Sequence, residues 1–469
     1  MIVGMQLPGR TRDEVEASLD ELTSLLETAG GEVVDRVTQR RDAPDPATYI
    51  GRGKVEQLRE LVAAHGADAL VFDDELAPAQ QRTIEEIVRQ KVLDRTIVIL
   101  DIFAQHATSK EGKAQVELAQ LTYLLPRLRG WGEALSRQAG GRAAGGVGIG
   151  GRGPGETQLE VDRRRIMRRV AKLRRDLDDF ARIRATKSAE RERRRTQVVA
   201  LVGYTNAGKS SLLNRLTGAD VLVEDKLFAT LDATVRRLPL EDGRNVVLTD
   251  TVGFVRKLPH GLVEAFKSTL EQSAEADLLL HVVDAAHEEA AAQIAAVEEV
   301  LEEIGADRVP QQLVFNKIDR ADPEDLDALV RTVKVERHDD PVLVSAWTGE
   351  GLDALMDRIG TRLPVERYRV SAQVPYERQD LVALAHRRGQ VIDEEHGDRG
   401  THLVADLDED VVLALRGYLD EDPLADEPEA WELPDEDAVG ADTSEGAASE
   451  GVVADADRAD GDDAAGGRR

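Results

Sequence analysis

The sequence predicts a multidomain α/β protein, and three observations predict it. Strand-like and helix-like segments alternate over about the first hundred residues and again beyond Arg195. Between these regions lie two helical patterns, each with a single apolar stripe. At 469 residues the chain is too long for one core and suggests roughly three units. The expected plan is an N-terminal α/β domain over 1–108, an antiparallel helical hairpin over 109–195 and a doubly wound, mainly parallel α/β domain over 196–364. A small C-terminal α/β domain over 365–420 and an acidic disordered tail over 421–469 complete it.

In the first domain MIVGMQL, EVVDRV (Glu32 to Val37), ADALVFDD and TIVILDIF (Thr96 to Phe103) read as strands, with helices from about Arg12 to Thr28 and around Lys54 to His65. YIGRGK, Tyr49 to Lys54, carries glycines and two cations that could hold a phosphate, although a plain turn is the simpler reading. TSKE then offers a capping box with Thr108 at the N-cap and Glu111 at N3. Behind it Leu118, Leu121, Leu125 and Leu128 form a stripe that Pro126 bends or ends. TQLE, Thr157 to Glu160, is a second capping box that starts the next helix, whose Ile166, Val170, Leu173, Leu177 and Phe180 make a narrow seam for one partner helix. Two such helices pair as a hairpin with glycine-rich sequence at its tip. Farther on, QVVALVG, NVVLTD, ADLLLHVVD, QQLVFNKID and PVLVSA are apolar strands, most of them separated by helical segments, as a doubly wound sheet requires.

Composition excludes several classes. With no cysteine, disulfides, thiolate metal sites and a cysteine nucleophile are ruled out. The opening MIVGMQLPGR lacks an export signal, and LLLHVV is far shorter than the ~18 residues of a membrane span, so a cytoplasmic protein is expected. The formal net charge is −29. It reads as the proteome-wide acidity of a salt-accumulating organism, with a specific basic partner as the alternative. The tail from 421 onward holds seventeen acids and three bases, the composition of solvating sequence.

GYTNAGKSS, Gly203 to Ser211, follows an apolar strand and opens a helix, the setting that G-x-x-x-x-G-K-[ST] needs. Its residues Gly203, Tyr204, Thr205, Asn206, Ala207, Gly208, Lys209, Ser210 and Ser211 are expected to wrap nucleoside triphosphate phosphates, with Lys209 on the β and γ oxygens and Ser210 on Mg²⁺. LTDTVGF supplies D-x-x-G: Asp250 to hold the metal through water, then Thr251, Val252 and Gly253, whose amide can meet the γ-phosphate. In NKID, Asp319 can accept both the N1 proton and the exocyclic amine of guanine, which adenine cannot offer. Asn316, Lys317 and Ile318 frame the ring, and Ser345 and Ala346 of SAWTGEG read its carbonyl. Four motifs in order, each at a strand's C-terminal end, make a GTPase. The segment Asp225 to Arg237 lies where a mobile switch belongs; within it Phe228, Ala229, Thr230, Leu231 and Asp232 are candidates for nucleotide contact. Thr230 is favoured over Thr234 as the second Mg²⁺ ligand. Phe254 occupies the position of a water-orienting glutamine, so slow intrinsic hydrolysis aided by K⁺ near Asn206 or by a large partner is expected.

GPGETQLEVDRR, GYTNAGKSSLLNRLTGA, LFATLDAT, DTVGF, LPHGLVEAFKSTLE, ADLLLHVVDA and NKID, in that order, closely resemble the HflX-type GTPases, as do the upstream YIGRGKVEQL, IFAQHATSKEGKAQVELAQL and YLLPRL. The resemblance runs from roughly Tyr49 to Gly360. It implies a Ras-like G domain, binding to the large ribosomal subunit in the GTP state, and a part in splitting or rescuing ribosomes; a monomer is expected. VPYERQDLVALAHRRG only loosely resembles the family's terminal domain, and the tail lies outside the resemblance.

The basic run between Arg129 and Arg165 inverts the chain's charge locally: Arg129, Trp131, Arg137, Arg142, Arg152 and Arg163 to Arg165. Arginines suit phosphates and stack on bases, and Gly153 allows close approach, so Arg142, Arg152, Gly153, Arg163 and Arg164 are candidates for ribosomal RNA contact. The bland reading is a basic helix neutralised by the protein's own carboxylates. The G-x-G-x-x-G at Gly148, Gly150 and Gly153 follows no apolar strand, so it fails as a dinucleotide fingerprint. A GTPase acting on another RNA, and a GTP-dependent protein-binding switch, remain the alternatives.

Overall fold

The structure is a computed structural model. It describes residues 1–128, 154–193, 196–219, 227–257 apart from 233 and 241–243, and 273–421 apart from 338–339, 365–366 and 398, together with 259, 262, 270 and 423. The chain divides into two compact units, Met1–Glu366 and Arg367–Arg469.

The first unit begins with a four-stranded parallel sheet in the order β2-β1-β3-β4, formed by β1 (Ile2–Gln6), β2 (Arg36–Arg40), β3 (Ala69–Phe72) and β4 (Lys91–Asp94). Helices α1 (Arg12–Thr28), α2 (Arg52–His65), α3 (Pro78–Val88) and α4 (Arg95–His106) accompany it. α1 starts at a complete capping box: the Thr11 hydroxyl accepts from the Glu14 amide and the Glu14 carboxylate accepts from the Thr11 amide. Gly51 precedes α2, so YIGRGK is a turn leading into a helix.

Two of the expected strands differ in the structure. TIVILDIF is not a strand but the body of α4, started by the Asp94 side chain accepting from the Ile97 amide and buried on nearly every face. A continuous β-branched run has no periodicity to tell a buried helix from a buried strand. The second strand lies later than EVVDRV, beginning at Arg36. α3 and β4, which lacked a strong apolar signal, complete the layer ahead of α4.

α5 (Lys110–Arg127) and α6 (Pro154–Arg193) pack along one another. They run antiparallel, because Glu117 pairs with Arg169 and, nearer the start of α5, Glu111 pairs with the later Arg184. Leu173 is buried in the seam, while Ile166, Val170, Leu177 and Phe180 are half-buried. Both capping assignments shift. The N-cap of α5 is Ser109, whose hydroxyl accepts from the Gly112 amide, not Thr108. α6 already begins at Pro154, so TQLE lies inside the helix rather than at its start. The glycine-rich stretch between the helices lies outside the described residues.

The third part of this unit is a six-stranded sheet in the order β10-β9-β8-β5-β7-β6. Its strands are β5 (Val198–Gly203), β6 (Thr234–Pro239), β7 (Asn245–Asp250), β8 (Leu278–Asp284), β9 (Gln311–Asn316) and β10 (Val342–Leu343). All neighbours are parallel except the β6–β7 pair, and β6 was not anticipated as a strand. α7 (Lys209–Thr217), α8 (Ala290–Glu303), α9 (Pro323–Arg337) and α10 (Leu352–Arg362) cover the sheet, as crossovers between parallel strands demand.

The second unit carries an antiparallel sheet, β11-β13-β12, formed by β11 (Tyr368–Val374), β12 (Gln390–Gly397) and β13 (Gly400–Leu407). α11 (Gln379–Arg388) and α12 (Glu409–Leu415) bury Leu381, Val382, Ala385, Val411, Val412 and Leu415 with the sheet's alternate residues. Among the described residues no helix is long and apolar enough to cross a membrane.

Candidate nucleotide-binding site

β5 ends at Gly203 and the chain curls into α7, whose N-cap is Gly208. Both glycines are required. A Cβ on Gly203 would lie 2.1 Å from the Val282 carbonyl oxygen, and one on Gly208, at φ 91°, would lie 2.3 Å from Asn316 Nδ2. The left-handed backbone that glycine tolerates thus lets the loop turn against two neighbouring strands. Asn206 in the same loop has φ 60°. Lys209 Nζ donates to the carbonyls of Gly203 at 3.1 Å and Tyr204 at 2.9 Å. Burial pushes its pKa down to about 8, against the opposing pull of Asp250.

Beside the lysine, Ser210 Oγ donates to Asp250 Oδ2 at 2.6 Å and lies 2.8 Å from Thr230 Oγ1. Asp250 closes β7, is 1 % exposed, and leaves its Oδ1 without a hydrogen-bond partner. Burial raises its carboxyl pKa although Lys209 and Ser210 oppose the rise. Two hydroxyls and a carboxylate with a spare buried oxygen fit a hard divalent cation. Of the two candidate threonines, Thr230 brings its hydroxyl here; Thr234 sits in β6 opposite Asp250 in the sheet register.

The D-x-x-G segment runs close under the loop. Thr251 Oγ1 donates to the Leu201 carbonyl at 2.6 Å, Val252 is buried, and a Cβ on Gly253 would meet Thr205 at 2.7 Å and Lys209 Nζ at 3.0 Å. The Thr205 hydroxyl is buried without a partner. Phe254 is tied by its backbone to Gly203 and Thr205 and is 1 % exposed. Its ring belongs to the core and cannot orient a water.

The far end of the loop meets the NKID and SAWTGEG segments. Asn316 Nδ2 donates to the Ala207 carbonyl at 2.9 Å and its Oδ1 accepts from the Ala346 amide at 3.0 Å. Lys317, at φ 63°, donates to the Asn206 carbonyl and to Asp284, each at 2.7 Å. Ile318 packs against the neighbouring core, and Ser345 Oγ donates to Asp319 Oδ1 at 2.5 Å. Ser211 follows in α7. The phosphate loop and the base-reading loops are therefore one hydrogen-bonded assembly.

Three of the expected switch residues turn their side chains elsewhere. Phe228 packs edge-on against Phe103 of α4 with ring centroids 4.6 Å apart, and Leu231 is buried. Asp232 accepts from Thr108 and Ser109 at the start of α5. Ala229 and Thr230 lie between these anchors. Tyr204 likewise points away, its phenol donating to Glu21 of α1 at 2.6 Å. Reading the sequence missed this side of the site altogether: Arg95, 1 % exposed, binds Asp73, Glu21 and the Arg256 carbonyl, and Lys257 pairs with Asp73 and Asp74. No local pattern marks partners so far apart in the chain.

Of the residues singled out for RNA, Arg142, Arg152 and Gly153 lie outside the described residues. Arg163 is half-exposed on α6, and the exposed Arg164 and Arg165 reach Glu160 at 3.4 Å and Asp162 at 3.9 Å on the same helix.

P-loop GTPases that select guanine are built in this way, with the phosphate, metal and base segments at the C-terminal ends of one mainly parallel sheet. Comparison with known proteins agrees. Residues 16–104 match the GTP-binding GTPase N-terminal family, 106–191 the GTP-binding GTPase middle region, 198–317 the 50S ribosome-binding GTPase family and 330–420 the HflX C-terminal domain. The last match extends the likeness into a region that resembles the family only loosely by eye. GTPase HflX of Caldanaerobacter subterraneus subsp. tengcongensis is 46% identical over 87% of this chain and 91% of its own length. GTPase HflX of Escherichia coli is 45% identical over 78% and 83%. A solved GTP-binding protein of Sulfolobus solfataricus in complex with GDP aligns over 77% of this chain and 98% of its own, at 25% identity and a TM-score of 0.38. The chain belongs to the HflX family of GTPases, and its G domain is a 50S ribosome-binding GTPase domain.

Proposed function

We propose that this GTPase binds the large ribosomal subunit in its GTP state, as a monomer, and acts in splitting, rescuing or recycling ribosomes in the cytoplasm. The observation that carries the reading is the meeting of Thr230, Ser210 and Asp250, because a switch threonine placed on the P-loop serine makes the site sensitive to the γ-phosphate. Ser210 and Thr230 would hold Mg²⁺ directly and Asp250 through water. Mg²⁺ supplies neutralisation of charge on the β and γ oxygens. Gly203 to Ser211 cradle the phosphates, and Lys209, buried and short of counter-charge, gains its partner in the triphosphate. Asn316, Lys317 and Asp319 read guanine, with Ser345 and Ala346 behind them.

Hydrolysis is slow without a partner, since Phe254 offers no polar group to the attacking water. Asn206 contributes to a K⁺ site, and equal rates in NaCl and KCl would remove the cation from this account. Arg142, Arg152 and Gly153 of the basic segment between α5 and α6, together with Arg163 and Arg164 of α6, meet ribosomal RNA. Replacing 148–153 by a short serine linker is expected to abolish large-subunit binding and leave the basal GTPase rate near normal. Unchanged binding would overturn the role of the tip.

A further inference from the structure

The switch segment is held at two points, one on either side of Thr230. Two residues before it, Phe228 seats its ring edge-on against Phe103 of α4. Two residues after it, Asp232 accepts hydrogen bonds from the Thr108 amide at 2.8 Å, the Thr108 hydroxyl at 2.6 Å, the Ser109 amide at 2.8 Å and the Ser109 hydroxyl at 2.5 Å. Ser109 is itself the N-cap of α5 and accepts from the Gly112 amide at 2.8 Å. One carboxylate of the G domain therefore satisfies backbone donors at the very start of the helical hairpin, where a negative charge also suits the helix dipole. The fit is close: a Cβ on Gly112 would lie 2.4 Å from Asp232 Oδ1.

We infer that Asp232 is a positioning residue which, by holding Thr108 and the N-cap Ser109 of α5, keeps Thr230 over Ser210 and makes order in the first turn of α5 depend on a closed switch. The inference rests on the reading of Thr230 as a metal ligand. Thr230 and Asp232 stand two residues apart in one short segment and reach different partners, Ser210 for the threonine and Thr108 and Ser109 for the aspartate. Thr230 faces the P-loop while Asp232 faces the hairpin. Fixing one restrains the other, and a switch that opens after loss of the γ-phosphate withdraws the carboxylate from α5. The nucleotide state would thereby reach the helix that precedes the basic segment in the chain, over a path of a few residues.

The test uses the full-length chain and the release of a fluorescent GTP analogue and of fluorescent GDP in saturating Mg²⁺. Asp232→Ala is expected to speed release of the analogue by about tenfold, the factor equivalent to losing a charge-assisted hydrogen bond, with GDP release changed little. Thr230→Ala is expected to do the same and serves as the reference. If Thr230→Ala leaves the analogue unaffected, the metal-ligand reading fails and this inference with it. If Thr230→Ala speeds release and Asp232→Ala does not, the inference alone is overturned. Asp232→Asn, which keeps one acceptor oxygen, should fall between wild type and alanine. A second readout needs no variant: hydrogen exchange at the amides of Ser109 to Gly112 should be slower with the GTP analogue than with GDP, and equal exchange would overturn the link to α5.

Discussion

The phenol of Tyr204 and the carboxylate of Glu21 lie 2.6 Å apart although 183 positions separate them in the chain. The phenol oxygen also accepts the Arg256 amide at 2.6 Å, so the P-loop, the segment after D-x-x-G and helix α1 share one node. Tyr204→Phe removes a donor and an acceptor from a site that is 6 % exposed. The expected loss is about 1–3 kcal/mol, read by chemical denaturation. An unchanged midpoint would show that the node contributes nothing to stability.

Arg95 lies at the centre of the same contact. Its guanidinium meets Asp73 at 2.6 Å and Glu21 at 3.2 Å, and the side chain is nearly inaccessible. Arg95→Met would leave the buried Asp73 with Lys257 alone and the half-buried Glu21 without its cation. Destabilisation of about 3–5 kcal/mol is expected, whereas a loss below about 1 kcal/mol would show that water replaces the cation.

Acid should weaken this contact in a defined direction. Burial alone would raise the Asp73 carboxyl, but Arg95 and Lys257 beside it overcome that and hold it below the ordinary aspartate range. Its stabilisation is then fully present above an unfolded pKa of about 3.9 and is lost as pH falls through the lower folded value. Asp73→Asn should lower stability at neutral pH and flatten the fall below pH ~4. A parallel acid limb in wild type and variant would contradict the assignment.

Asp319 offers a test of base selection. An amide at this position can donate to a carbonyl at the purine 2-position, where guanine carries an amine. Asp319→Asn is expected to weaken GTP binding by at least about a hundredfold and to favour xanthosine triphosphate, in line with the cost of unpaired polar groups in a binding site. Unchanged preference for GTP in competition binding would remove Asp319 from the base site.

What could be read from the sequence follows from how local each signal is. GYTNAGKSS, DTVG, NKID and SAWTGEG each carry their chemistry within a few residues, and the strands that present them are plain apolar runs. TIVILDIF misled because Asp101 is its one exposed residue, too little to show a polar helical face, and the Asp94 cap is the local sign of the helix. The start of α5 was displaced by one residue because Thr108, a good N-cap on its own, instead donates its hydroxyl to Asp232. TQLE carries a valid capping pattern, yet the helix begins before it at Pro154. The node around Arg95 was illegible, since each partner, taken alone, is one more charged residue on a charged chain.

The central claim is that nucleotide state governs attachment to the large ribosomal subunit. The most direct measurement is sedimentation of the purified full-length protein with separated ribosomal subunits at high KCl, with a non-hydrolysable GTP analogue or with GDP. The account predicts co-migration with the large subunit in the analogue and free protein in GDP. Equal binding in both states, or binding to neither subunit, would contradict it.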